Sequence, residues 1–409
     1  MKKLAWLVGL VLAFSLVSAA VAQAPAPGTL IDVEPISSHE LSEINTMISG
    51  FYEPDQIIPG QYPVDVYRVR YETVYQDDEP ITITAQLFVP RVSEPTEFPV
   101  LVFGAGSSGI ADQCAPSLEQ PAVQNWGSYK LYMLTTATQG YITVLPDYAG
   151  FNDPDHMQPY YVSDMAGRVL LDAARAVAEW SATERDTPSA AAPAVLMSGY
   201  SQGGQSVFAA HDLWETYAPE VPLKGIIGFA PVTNMASHMQ TLPQLAPYRM
   251  VAWEDYYGSD QVNPDEVFLD TWLPTMRDDV MEMCVFDAAG YYSANPAEMY
   301  QPDVLEGLQQ GTLDEVYPTL DALLTLNSPG FVQNNIPALI VQGTEDHTIP
   351  MDVHEQFVDG YCAAGNVLNV HLYEGANHFH LRELSYRDSL DWMARAVAGD
   401  FEPNACASR

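Results

Sequence analysis

The sequence predicts an α/β fold: a mostly parallel central sheet flanked by helices, with an inserted helical cap or lid. Three observations carry this. Short, nearly continuous apolar runs recur at residues 100–103, 142–145, 194–197, 225–229, 338–341 and 367–372, separated by loops and helical stretches. Runs apolar on both faces belong to strands buried on both sides, as parallel strands joined by helices are. The rhythm breaks once, between about residues 235 and 329, where Pro, Tyr, Trp and Met crowd and no buried strand is readable. Finally, 409 residues with 47% hydrophobic content suffice for one large core with an insertion, or for two domains.

Residues 1–22 read as a secretory signal: Lys2 and Lys3, an apolar stretch from Leu4 to Val17, then small residues with cleavage after Ala22. The stretch is short of the ~20 residues a membrane span needs, and no other segment is long and apolar enough, so no stable membrane anchor is expected. A secreted or periplasmic location follows. Residues 25–60, punctuated by Pro and Gly, read as an N-terminal arm. Residues 64–71 and 81–89 alternate as half-buried strands do, and the turn-like Asp77, Asp78, Glu79 and Pro80 between them suggest antiparallel pairing. A helix is expected over residues 161–180, where Met165, Val169, Asp172, Ala173, Ala176 and Trp180 recur at three or four residues. The chain thus divides into a signal peptide (1–22), a core with its arm (23–234 and 330–409) and a helical cap (235–329).

Export changes how the four cysteines read. Cys114, Cys284, Cys362 and Cys406 suggest two disulfides, and three pairings are open. No C-x-x-C spacing exists, and His347 and His354 lie seven residues apart, which does not place them on one helix face. No metal and no cofactor are expected. The formal charge is −37, and loss of Lys2 and Lys3 takes it to −39, leaving Lys130, Lys224 and 12 arginines. Such a surface repels nucleic acid. It suits salty surroundings; the plainer alternative is an acidic secreted protein kept soluble by its charge. The oligomeric state is not readable.

Chemistry concentrates around Gly199-Tyr200-Ser201-Gln202-Gly203-Gly204. G-x-S-x-G is weak by itself, but here it follows the buried run ending at Ser198 and precedes renewed helical periodicity at Gln205, Val207, Phe208 and His211. In open α/β sheets, sites form at the carboxyl ends of the strands. A nucleophilic serine there sits in a strained strand–turn–helix elbow, and glycines two residues either side avoid clashes with neighbouring strand and helix. The serine needs a base and the base an orienting acid, in the chain order Ser, acid, His. Asp346 lies in the loop after the strand at 338–341, beside its rival Glu345. His378 lies in the loop after the next strand, with His380 as competitor. His347, His354 and His371 read as ordinary loop, helix and strand residues. For the oxyanion, one amide comes from Gln202 and the second from the small-residue loop 104–109, through Ser107 or Ser108. That loop has neither a Lys nor a phosphate-binding glycine pattern.

Together with the elbow, Gly109 to Ser117 (GIADQCAPS), Pro146 to Gly150 (PDYAG) and Leu171 to Val177 (LDAARAV) resemble the secretory lipase family, the fungal lipase A type and its bacterial relatives, over roughly residues 99–406. The resemblance implies an α/β-hydrolase fold with a helical cap and a Ser/Asp/His triad falling on Ser201, Asp346 and His378. It also implies disulfides pairing Cys114 with Cys284 and Cys362 with Cys406. The chain departs from the family in the oxyanion loop, where relatives often carry His-Gly and this sequence has Ala105-Gly106. The expected function is a secreted carboxylic ester hydrolase, lipase or esterase, acting through an acyl-enzyme on Ser201, on an ester or lipid substrate at a lipid–water interface. A serine peptidase or acyltransferase on the same triad is the alternative. Met239, Met250, Trp253, Tyr256, Tyr257, Trp272, Met276, Met281 and Met283 form either an acyl tunnel or the cap's own core.

Overall fold

The computed structural model describes residues 26–120, 123–184, 187–401 and 404–408; the signal-peptide reading of residues 1–22 lies outside them. Nine strands form one sheet: β1 (Leu30–His39), β2 (Val64–Val74), β3 (Pro80–Pro90), β4 (Thr96–Gly104), β5 (Ile142–Pro146), β6 (Ser189–Tyr200), β7 (Leu223–Phe229), β8 (Ala338–Gly343) and β9 (Leu368–Tyr373). Their order is β1-β2-β3-β5-β4-β6-β7-β8-β9. The first four neighbours pair antiparallel, from β1 to β5 through β2 and β3. From β5 through β4 to β9 every pairing is parallel. The sequence-predicted apolar runs are the centres of β4 to β9, and the alternating segments are β2 and β3.

Both faces are covered. The helices Ser163–Thr183 and Gln202–Tyr217 pack together on one face against β4 and β6, and Phe357 and Tyr361 of the helix Met351–Ala363 pack on Phe208 there. On the other face Tyr132 and Tyr386 join the helices Tyr129–Ala137 and Tyr386–Ala398, with Tyr52 stacked on Tyr386. The expected helix over 161–180 runs Ser163–Thr183, and its inward stripe includes the carboxylate of Asp172. That buried charge is accommodated because the Thr73 hydroxyl, the Tyr217 hydroxyl and the Arg175 guanidinium all donate to it, at 2.6 to 2.7 Å.

Within the expected arm, residues 26–60 hold more regular structure than the sequence suggests. Residues 30–39 pair antiparallel with β2, and Leu41–Phe51 is a helix whose Ile44 and Ile48 are buried. The strand is an edge whose side chains are mostly exposed, so no inward face imposes alternation, and Pro35 and Ser37 sit where its register shifts.

Between β7 and β8 the chain leaves the sheet for short helices, from Met235–Thr241 to Pro318–Leu326, with one isolated bridge between Phe268 and Tyr300. Met239, Met250, Trp253 and Met276 are fully buried within this insertion, and Met281 is exposed. Cys114 is bonded to Cys284 and Cys362 to Cys406. The first bond fastens the segment after β4 to the insertion, beside a Gln113 side chain that donates to the carbonyls of Met281 and Glu282. Among the described residues, no helix is long and apolar enough to cross a membrane.

Candidate active site

Ser201 occupies the turn between β6 and the helix Gln202–Tyr217. Its backbone lies at φ 55°, ψ −110°, a region L-residues avoid. The surroundings enforce it: its amide donates to the Phe229 carbonyl at 2.9 Å, and its carbonyl accepts from Gln205 at 3.1 Å and Val232 at 3.2 Å. The glycines permit the close approach. A Cβ on Gly199 would lie 2.0 Å from the Gly203 carbonyl oxygen, and a Cβ on Gly203 would lie 1.8 Å from that of Gly104. The turn thus lifts Ser201 Oγ to the carboxyl end of the sheet, at the positive end of a sixteen-residue helix.

The loops after β8 and β9 bring the other two groups. His378 Nε2 lies 3.0 Å from Ser201 Oγ, and His378 Nδ1 lies 2.8 Å from Asp346 Oδ2. The Asp346 carboxylate also accepts from the Thr348 and Ile349 amides, both at 2.8 Å, and from Gln342 Nε2 at 3.1 Å. With its oxygens engaged as acceptors, Asp346 accepts a hydrogen bond from the Nδ1–H of His378, which leaves Nε2 to accept from the serine hydroxyl. All three groups are buried. The rivals are not brought in: Glu345 and His347 are exposed, and His380, although at the rim, makes no bond to Ser201.

Gln202, immediately after the elbow, is buried at the first turn of the helix. Of the two serines in the loop after β4, Ser107 borders the same cavity as Ser201, with its hydroxyl 2.5 Å from the Tyr160 hydroxyl. Ser108 does not border it, and its carbonyl accepts from the Val285 amide of the insertion at 2.8 Å. The Tyr148 hydroxyl donates to the Ala105 carbonyl at 2.6 Å, bracing that loop.

The cavity above Ser201 measures about 920 Å³. The insertion lines it with the apolar Leu242, Leu245, Val285, Phe286 and Ala289, and the core lines it with the polar Asn125, Ser128, Asn377 and Arg382 as well as Trp126, Tyr129 and Phe379. None of the nine Met, Trp and Tyr residues weighed as an acyl tunnel borders it. Sequence reasoning passed over Arg382. Its buried guanidinium lies 4.8 Å from the Tyr200 ring centre and donates to the Gly127 carbonyl at 2.6 Å. A rare arginine four residues after the candidate histidine was the available signal. Among the described residues, no three His, Cys, Asp or Glu side chains cluster so as to hold a metal ion.

A mostly parallel sheet wound in this order, interrupted before β8 and carrying a serine in a strained strand–turn–helix elbow after β6, is the α/β-hydrolase fold. Solved lipases and esterases share the fold. A ligand-bound form of the rice cell wall degrading esterase LipA from Xanthomonas oryzae superposes with a TM-score of 0.71 at 19% identity, covering 91% of this chain and 97% of that one. The resemblance to the secretory lipase family is borne out: that family's model matches residues 125–248. A secreted triacylglycerol lipase of Malassezia globosa is 23% identical over 75% of this chain and 66% of its own length, just under two thirds. A probable inactive lipase of Mycobacterium tuberculosis is 24% identical over 82% of this chain and 74% of its own.

Proposed function

We propose that this protein is an extracellular serine esterase or lipase that cleaves carboxylic esters through an acyl-enzyme on Ser201. The observation that carries the proposal is the unbroken relay from Ser201 Oγ through His378 to Asp346, at 3.0 and 2.8 Å. In this reading His378 Nε2 takes the serine proton as Oγ attacks the ester carbonyl, and Asp346 stabilises the imidazolium. The Gln202 and Ser107 amides receive the oxyanion, and His378 returns the proton to the departing alcohol. Water, activated by the same histidine, then releases the acid. The apolar lining from the insertion suits an acyl chain. Phe286 and Phe379, more than half exposed at the cavity, suit contact with a lipid–water interface. Two disulfides and the match to secretory lipases support an extracellular location.

The test is hydrolysis of p-nitrophenyl esters of increasing acyl length by wild type and Ser201→Ala. The expected loss of kcat in the variant is about 10⁴-fold or more. Equal rates would sink the assignment, and triglyceride emulsions run beside the series separate lipase from esterase.

A further inference from the structure

Behind Ser201 lies a second polar cluster, drawn from residues far apart in the chain. Tyr161 is buried, and its hydroxyl lies within reach of the Ser107, Tyr160 and Ser201 hydroxyls. It holds no hydrogen bond. Its backbone is held at φ 61°, which an aromatic residue adopts only at a cost. The turn is pinned on either side: the Trp253 indole donates to the Tyr160 carbonyl at 2.9 Å, and the Val162 amide to that of Pro159 at 3.0 Å.

The Arg249 guanidinium packs on the face of the Tyr161 ring, 5.0 Å from its centre. It is fully buried, and the charged or titratable groups that bear on it are Tyr160, Tyr161, Tyr300 and His238. No carboxylate pairs with it among the described residues. Its Nη2 donates to His238 Nδ1 at 2.6 Å, and the His238 ring lies 5.2 Å from that of Tyr161. A chain so short of cations has therefore placed one, without an acid, against a phenol that faces the nucleophile.

The Tyr161 hydroxyl is thus an orphaned buried donor beside Ser201 and the loop of the oxyanion amides. We propose that the Tyr161 hydroxyl is a third donor to the oxyanion formed on Ser201, with Arg249 and His238 as positioning residues that fix and polarise it. The resting enzyme leaves the donor unmatched, and the negative oxygen of the tetrahedral intermediate satisfies it. A donor that pairs only in that state lowers the barrier without tightening substrate binding. Burial pushes the phenol up, and the nearby cation opposes this without reversing it, so Tyr161 keeps its proton throughout. No bond to it forms or breaks.

The inference rests on the ester-hydrolase reading, and Ser201→Ala separates the two. Activity retained in that variant overturns the reading itself. An inactive Ser201→Ala beside a fully active Tyr161→Phe overturns only the role of Tyr161. In Tyr161→Phe we expect kcat on p-nitrophenyl butyrate to fall about 10²-fold with KM changed less than twofold. The Ki of a trifluoromethyl ketone, which forms a tetrahedral adduct with the serine, should rise by the same factor. A kcat within twofold of wild type, or a loss without a matching rise in Ki, overturns the proposal. If Tyr161→Phe does not fold, 3-fluorotyrosine at position 161, nearly isosteric and more acidic, is read instead. Faster turnover with a proportionally lower Ki supports the donor, and no shift or the opposite shift overturns it.

Discussion

At the scale of single residues, the elbow trades backbone comfort for the placement of Ser201 at the cavity, and its glycines carry the cost. A methyl group on Gly203 would sit against the Gly104 and Ala105 carbonyl oxygens, both backbone atoms that cannot rotate away. Gly203→Ala is therefore expected to lose more than about 3 kcal/mol of stability, read by urea unfolding, or to fail to accumulate folded. Gly50, in an exposed turn of the helix Leu41–Phe51 with nothing within 4 Å of a new Cβ, is the control. Gly50→Ala should gain up to about 1 kcal/mol. Ser201, Asp346 and His378 were legible in the sequence because each follows a readable strand in an order the fold dictates. Tyr161, His238 and Arg249 were not, because nothing in the spacing of 161, 238 and 249 announces that they meet.

At the scale of elements, the strands buried on both faces were legible from composition, since water is excluded from each side and only apolar residues satisfy that. The edge strand β1 was not, nor were the boundaries of the short helices between β7 and β8, where packing outweighs local periodicity. One loop after β5 carries a pH-dependent tether. The buried Asp147 carboxyl accepts from the Ser117 amide at 2.7 Å and hydroxyl at 2.6 Å, yet burial pushes it up to about 7. Its value in the unfolded chain is about 3.9, so between about pH 4 and 7 the folded state holds a proton that the unfolded state has lost. This contribution to stability is fully present below the window and is lost as pH rises through it. Asp147→Asn removes the titration. The difference in Tm, variant minus wild type, should therefore grow from pH 5 to pH 8 in thermal unfolding; a constant difference would count against the shifted carboxyl.

At the scale of the whole molecule, 53 acidic side chains stand against 16 basic ones. Exposed pairs such as Arg68 with Glu34, Arg70 with Asp32 and Arg91 with Glu40 relieve little of this, each contributing about 0–1 kcal/mol. Self-repulsion dominates, and salt screens it over about 10 Å at 0.1 M. Raising NaCl from about 0.01 to about 1 M should raise Tm. A fall would mean that the few exposed attractive pairs matter more than the excess of negative charge. The Cys114–Cys284 bond bears on motion at this same scale. Its two Cα atoms are 5.5 Å apart while 170 residues separate them in the chain. Any displacement of the inserted helices that would part these two points is forbidden while the bond is intact. Next to the bond, the Val285 amide donates to the Ser108 carbonyl, so the inserted residues around Cys284 are tied at two adjacent points to the loop that flanks Ser201.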